Sequence, residues 1–152
     1  MDYARIISAS AIAEDLTDGQ IQRLARIAIF SEYSPGDIII KENDKTTDLF
    51  IIHEGHVSVE IKRFPYDAAS QPFLLIKAKG LVGEFSFIDR SPRSANVRAH
   101  DKVTCLVLPG DKLESLIQSD YEIGFLLMRN MARLLSARIR GANLELRNQL
   151  IW

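Results

Sequence analysis

The chain has 152 residues, 47% hydrophobic and 26% charged, with a formal net charge of −1 at pH 7. That length fits one domain with an ordinary core, and the charge balance gives no global attraction to nucleic acid or an anionic membrane. The single cysteine, Cys105, excludes an intramolecular disulfide and suits a reducing compartment. No apolar run approaches a membrane span, and none follows Met1-Asp2-Tyr3-Ala4-Arg5 as a secretory signal would require, so the expected location is the cytoplasm.

Residues 3–13 are small and apolar (Ile6, Ile7, Ala9, Ala11, Ile12, Ala13) and predict a short helix or two. Thr17 with Gln20 three residues later is a capping box. Ile21, Leu24, Ala25 and Ala28 follow at helical spacing, with Gln22, Arg23 and Arg26 turned to water.

From Ile27 to Leu108 the pattern changes to short strands divided by turn residues. Ser34-Pro35-Gly36-Asp37 is a turn, Ile38–Ile40 a strand, and Glu42-Asn43-Asp44 a second turn. Leu49–His53 and His56–Arg63 pair around Glu54-Gly55, and Pro65–Pro72 reads as a polar loop. Phe73–Ile76 returns, Lys79-Gly80 turns, and Asn96–His100 and Val103–Leu108 complete the set. About eight short strands with this spacing predict a mainly β fold, an antiparallel β-roll or jelly-roll-like barrel. Cys105 lies in the apolar run Val103–Leu108 and reads as a buried, inert thiol.

After Pro109-Gly110 the period is helical again. Asp111 is placed to cap a helix through Leu116-Ile117, and Asp120 to open a long helix ending near Gln149. Met128, Ala132, Leu135, Ile139, Ala142, Leu146 and Gln149 recur at alternating four and three spacing, a coiled-coil seam apart from its last member. A second stripe holds Leu127, Met131, Leu134, Arg138 and Gly141. One stripe can pack on the roll while the other meets a second copy, giving a homodimer; the alternative is one wide face buried on its own domain. The organisation is one domain over 1–152, with a helical segment at 1–30, the β-roll at 31–109 and C-terminal helices at 110–152.

The chemistry concentrates in Gly83-Glu84-Phe85-Ser86-Phe87-Ile88-Asp89-Arg90-Ser91-Pro92-Arg93-Ser94-Ala95. A glycine beside a carboxylate and an arginine beside a hydroxyl let one loop offer backbone N–H groups, a guanidinium fork and an acceptor. Phosphate oxygens need the first two, and a sugar hydroxyl needs the third. The plain readings are a surface arginine for Arg93 and a helix N-terminal carboxylate for Glu84. Phe87 and Ile88 are placed to anchor the loop's helix on the roll.

Gly83-Glu84 followed by Arg93-Ser94-Ala95 and Val97-Arg98-Ala99 resembles the phosphate-binding cassette of cyclic nucleotide-binding domains. Pro35-Gly36-Asp37, Leu49-Phe50-Ile51-Ile52, Glu54-Gly55 and Val57-Ser58-Val59 extend the resemblance over roughly residues 15 to 148. Such domains are the sensor modules of catabolite activator-type regulators, cyclic-nucleotide-gated channels and cyclic-nucleotide-dependent kinases. The resemblance implies that Arg93 bridges the cyclic phosphate and Ser94 donates to it. Gly83 and backbone groups of Phe85 and Ser86 admit its close approach, Glu84 accepts from the ribose 2′-hydroxyl, Ala95 keeps the mouth small, and Val82 and Leu75 line the base pocket by the same resemblance. Arg138, on the long helix, stands open between a lid over the base and a solvated arginine.

His53, His56 and His100 lack metal-ligand spacing, and no catalytic constellation stands in an active-site setting, so the expectation is neither metal site nor enzyme. Arg129, Arg133 and Arg140 form a basic patch that reads as a solvated face rather than a nucleic-acid surface. With the chain ending at Trp152, the expected function is a stand-alone sensor, cAMP favoured and cGMP possible, whose long helix closes over the base and signals to an unknown effector protein. The alternatives are a nucleotide-independent interaction module on the same fold, or the sensor domain of a truncated transcription regulator.

Overall fold

The computed structural model describes residues 1–61, 71–77 and 80–151. Helix α1 (Tyr3–Ser8), a single 3-10 turn (Ala11–Ala13) and α2 (Asp18–Ile27) open the chain. Strands β1 (Ile29–Tyr33), β2 (Ile38–Ile40), β3 (Leu49–Glu54), β4 (His56–Ile61), β5 (Gln71–Lys77) and β6 (Leu81–Val82) follow. Then come α3 (Glu84–Asp89), β7 (Asn96–Ala99), β8 (Val103–Leu108), α4 (Gly110–Ser119) and α5 (Tyr121–Ile151). The expected loop at 65–72 falls mainly outside the described residues, although Gln71 and Pro72 belong to β5.

Among the described residues the strands form two four-stranded antiparallel sheets, ordered β1-β8-β3-β6 and β2-β7-β4-β5. This corrects the barrel expected from strand spacing: the sheets stay separate and meet through side chains. The β6 and β2 edges have two and three residues, little backbone for a ladder, and among the described residues the longer edges β1 and β5 do not pair across the sheets either.

The first sheet explains why β3 and β8 read as nearly unbroken apolar runs. Residues of these two strands alternate between two dry layers, so both of their faces are mostly apolar. Phe50, Ile52, Val103 and Cys105 point into the space between the sheets, where they meet Ile40, Val57, Ile76, Val82, Val97 and Ala99. Leu49, Ile51, Leu106 and Leu108 point the other way, onto Ile7, Ile12, Leu24, Phe87, Leu113, Ile123, Leu127 and Met131. The register carries this through, with Leu49 opposite Leu108 and Ile51 opposite Leu106.

The helices start largely as their sequences dictate. In the capping box of α2, Gln20 N–H donates to Thr17 Oγ1 and Thr17 N–H donates to Gln20 Oε1. Asp120 Oδ1 accepts from Ile123 N–H at the start of α5. Asp111 does not cap α4: Pro109 holds the N-cap position, Asp111 lies in the first turn, and Asp48 Oδ1 accepts from Gly110 N–H instead.

Helix α5 has 31 residues, about 46 Å at the α-helical rise. Its first half is held to the N-terminal segment by buried Asn130, whose Nδ2 donates to the carbonyls of Ile12 and Glu14. Arg129 pairs with Asp15, and Arg133 with Glu14 and Asp15. Two of the three arginines of the expected basic patch are therefore answered by carboxylates. No helix among the described residues is long and apolar enough to cross a membrane.

Cys105 is fully buried between the sheets, and desolvation pushes its thiol up to about 12. A thiol reagent at pH 8 should accordingly label Cys105 only at the rate of unfolding. Rapid stoichiometric labelling of the folded protein would contradict this packing.

Candidate functional site

The stretch 83–95 connects β6 to β7, and its shape comes from a few backbone positions. Gly83, at φ +91°, ends β6 and precedes α3. Arg90, at φ +62°, ends α3 and donates its N–H to Ser86 carbonyl. The returning loop is joined to the β2–β3 connection: Asn43 N–H donates to Arg93 carbonyl at 2.9 Å, and Arg93 N–H to Asp44 carbonyl at 2.8 Å.

These bonds turn Arg93 inward. The residue is only 3% exposed, and its guanidinium meets acceptors on three sides. Nε donates to Thr46 Oγ1 at 3.0 Å, Nη1 to Gly83 carbonyl at 2.9 Å and Nη2 to Asp48 carbonyl at 2.8 Å. Desolvation lowers the Arg93 pKa, while Asp48, Glu84 and Asp44 oppose that shift. A guanidinium carries five N–H donors. With these three used, one N–H remains on each terminal nitrogen, the pairing that suits a bidentate anion. Gly83 is required here twice over: besides its positive φ, a Cβ would lie 2.5 Å from Asp48 carbonyl oxygen and 2.9 Å from Arg93 Nη1.

Glu84 is also 3% exposed. Its carboxylate pairs with Arg138, which reaches across from α5 and also donates through Nη2 to Leu81 carbonyl at 2.7 Å. Arg138 is therefore partly buried and paired within the chain.

Gly83, Glu84, Arg93 and Arg138 are thus brought together, with Ser86 and Ala95 buried nearby in the same stretch. The other expected members differ in their exposure. Val82 packs in the core between the sheets, Phe85 is exposed, and Ser94 is exposed on the loop. Phe87 anchors α3 in the helical layer as expected, but Ile88 is exposed. The side chain of Leu75 lies outside the described residues. The sequence reading missed Thr46 and Asp48. Their only sequence signal is a polar Thr46-Thr47-Asp48 run before β3, and Asp48 serves Arg93 through its carbonyl, which any residue has.

The model of the cyclic nucleotide-binding domain matches residues 30–120, from β1 through α4 and including the whole Arg93 loop. The chain belongs to the cyclic nucleotide-binding domain family. It is 27% identical over 137 residues to glutaminase 2 of Bradyrhizobium diazoefficiens, covering 90% of this chain and 21% of the enzyme. It is 27% identical over 125 residues to a cGMP-dependent protein kinase of Drosophila melanogaster, covering 80% of this chain and 13% of the kinase. Among solved structures, a cyclic nucleotide-binding domain from Methylobacillus flagellatus superposes with a TM-score of 0.78 at 25% identity, covering 91% of this chain and 77% of the other. The chain therefore spans about a fifth or less of these two curated relatives.

Gly83→Ala should lower stability by about 1–3 kcal/mol from backbone strain alone, with more from displacing Asp48 and Arg93. The urea midpoint measures it. An unchanged midpoint would mean that Gly83 does not hold this approach.

Proposed function

We propose that this domain is a cyclic nucleotide sensor, with cAMP favoured over cGMP, that binds its ligand at Gly83–Ala95 and passes the signal on through α5. The supporting observation is the Arg93 guanidinium: it is fixed on three sides by Thr46, Gly83 and Asp48, beside the buried carboxylate of Glu84. In this reading Arg93 holds the cyclic phosphate with its two remaining N–H groups, Ser94 adds a hydroxyl, and the 2′-hydroxyl of the ribose goes to Glu84. The role is regulatory rather than catalytic, and the location is the cytoplasm.

The partner surface in this reading is the outer stripe of α5, and a second copy of the chain covers it. Tyr121 (80% exposed) and Phe125 (63% exposed) extend the seam upstream of Met128, and Ile139 and Leu146 continue it, also exposed. From Tyr121 to Leu146 the spacing alternates four and three, the repeat that closes a two-stranded coiled coil. An effector protein would then read the state of the helix pair.

The second reading is an interaction module indifferent to nucleotide. It draws on the same geometry, because Arg93 and Glu84 both have their charges answered within the chain.

Calorimetric titration with cAMP, cGMP and linear AMP separates the two. The sensor reading predicts saturable binding of a cyclic form and much weaker binding of AMP. Arg93→Lys, which keeps the charge but loses the fork, should weaken that binding by about 2–5 kcal/mol, with a thermal melt showing that the variant is folded. Absence of binding to every nucleotide by folded parent protein would favour the interaction module.

A further inference from the structure

The three acceptors of the Arg93 guanidinium differ in kind. Gly83 and Asp48 serve through main-chain carbonyls, which any residue in those places would supply. Thr46 serves through its hydroxyl, so among the described residues it is the one side-chain acceptor of this group. All three are uncharged, and they satisfy N–H groups without cancelling the positive charge. The carboxylate of Asp48 is turned to Gly110 N–H instead. Thr46 is exposed while Arg93 is buried, yet the chain fixes the threonine from both sides. Upstream, the left-handed turn at Asn43 (φ +69°) brings residues 43 and 44 into hydrogen bonds with the main chain of Arg93. Downstream, Asp48 is bonded to the start of α4, and Thr47 fills the space that a Gly110 Cβ would need. Threonine is branched at Cβ, so few side-chain orientations compete with the one that meets Nε.

A guanidinium offers a two-oxygen anion two edges: Nε with one terminal nitrogen, or both terminal nitrogens. We infer that Thr46 is a positioning residue that closes the first edge, so that a cyclic phosphate meets the two terminal nitrogens alone and its two free oxygens are told apart. The inference rests on the sensor reading and adds to it the residue that sets the phosphate geometry. With Nε free, the guanidinium can turn either edge to the ligand, and one fixed orientation becomes two. Holding a single orientation before the ligand arrives removes part of the ordering cost of binding. A hydroxyl suits this place better than a carboxylate, because it fixes the side of the group and leaves its charge to the ligand.

The test compares the parent chain with Thr46→Val and Thr46→Ser by calorimetry. The ligands are cAMP and its two phosphorothioate diastereomers, in each of which sulfur replaces one free phosphate oxygen. T46V should bind cAMP about tenfold more weakly, the loss of one charge-assisted hydrogen bond, and T46S within about twofold of the parent, since serine keeps the acceptor. The affinity ratio of the two diastereomers should fall toward one in T46V and stay at the parent's value in T46S. Equal binding of cAMP by T46V and the parent would overturn the inference. So would three affinities that fall by one common factor in T46V, which is what a loosened fold gives, or a parent that binds the two diastereomers equally. A readout free of any variant is the Arg93 Nε–H signal of the unliganded parent by 15N resonance: it should exchange slowly with water, and exchange as fast as an open arginine would overturn the inference as well. If the parent binds no cyclic nucleotide, the sensor reading itself fails and this inference with it. A parent that binds, beside a T46V with the parent's diastereomer ratio, removes this inference alone.

Discussion

A guanidinium taken out of water must be surrounded by acceptors, and the acceptors of Arg93 come from separate parts of the chain. Thr46 and Asp48 lie in the connection before β3, and Gly83 lies at the turn after β6. The peptide groups on either side add two bonds to Asn43 and Asp44. Asp48 is committed a second time, because its carboxylate accepts from the first N–H of α4. One buried charge thus ties the cassette to the β2–β3 connection and, through Asp48, to the helical layer. Leaving such a charge without its acceptors costs far more than a surface contact is worth.

The layers around this charge explain how it is held. Sheet residues alternate between the space shared by the two sheets and the space shared with the helices, and β3 and β8 serve both. The cassette leaves the first sheet at β6, and Phe87 fixes α3 in the helical layer, the layer against which the first half of α5 packs. Beyond Leu134, Arg138 joins the helix to Glu84 and to Leu81 carbonyl, and residues 139–150 are exposed.

Much of this was legible in the residues, because the relevant forces are local. The capping box at Thr17 and Gln20 declares itself by type and spacing. The apolar runs of β3 and β8 show strands with no wet face, and the alternation in α5 separates its seam from its core stripe. The cassette is readable because glycine, carboxylate, arginine and hydroxyl fall within thirteen consecutive residues. What was not legible depends on distant partners. Nothing in Asp48 reveals that its carbonyl will meet a guanidinium 45 residues away or that its carboxylate will replace Asp111 as the partner of α4. Arg129 and Arg133 look basic in sequence and are neutralised by acids from the N-terminal segment. Closure into a barrel turns on how the edges of the two sheets lie against each other, which turn spacing does not encode.

The most direct test of the account is a nuclear magnetic resonance titration of uniformly 15N-labelled protein with cAMP, following the backbone amides and the arginine Nε–H signals together. The account predicts that the Arg93 Nε–H signal and the amides from Gly83 to Ala95 shift in step and saturate, while amides in the core between the sheets, such as that of Cys105, stay in place. Shifts that spare Arg93 and gather elsewhere, or a spectrum that does not change at saturating ligand, would contradict it.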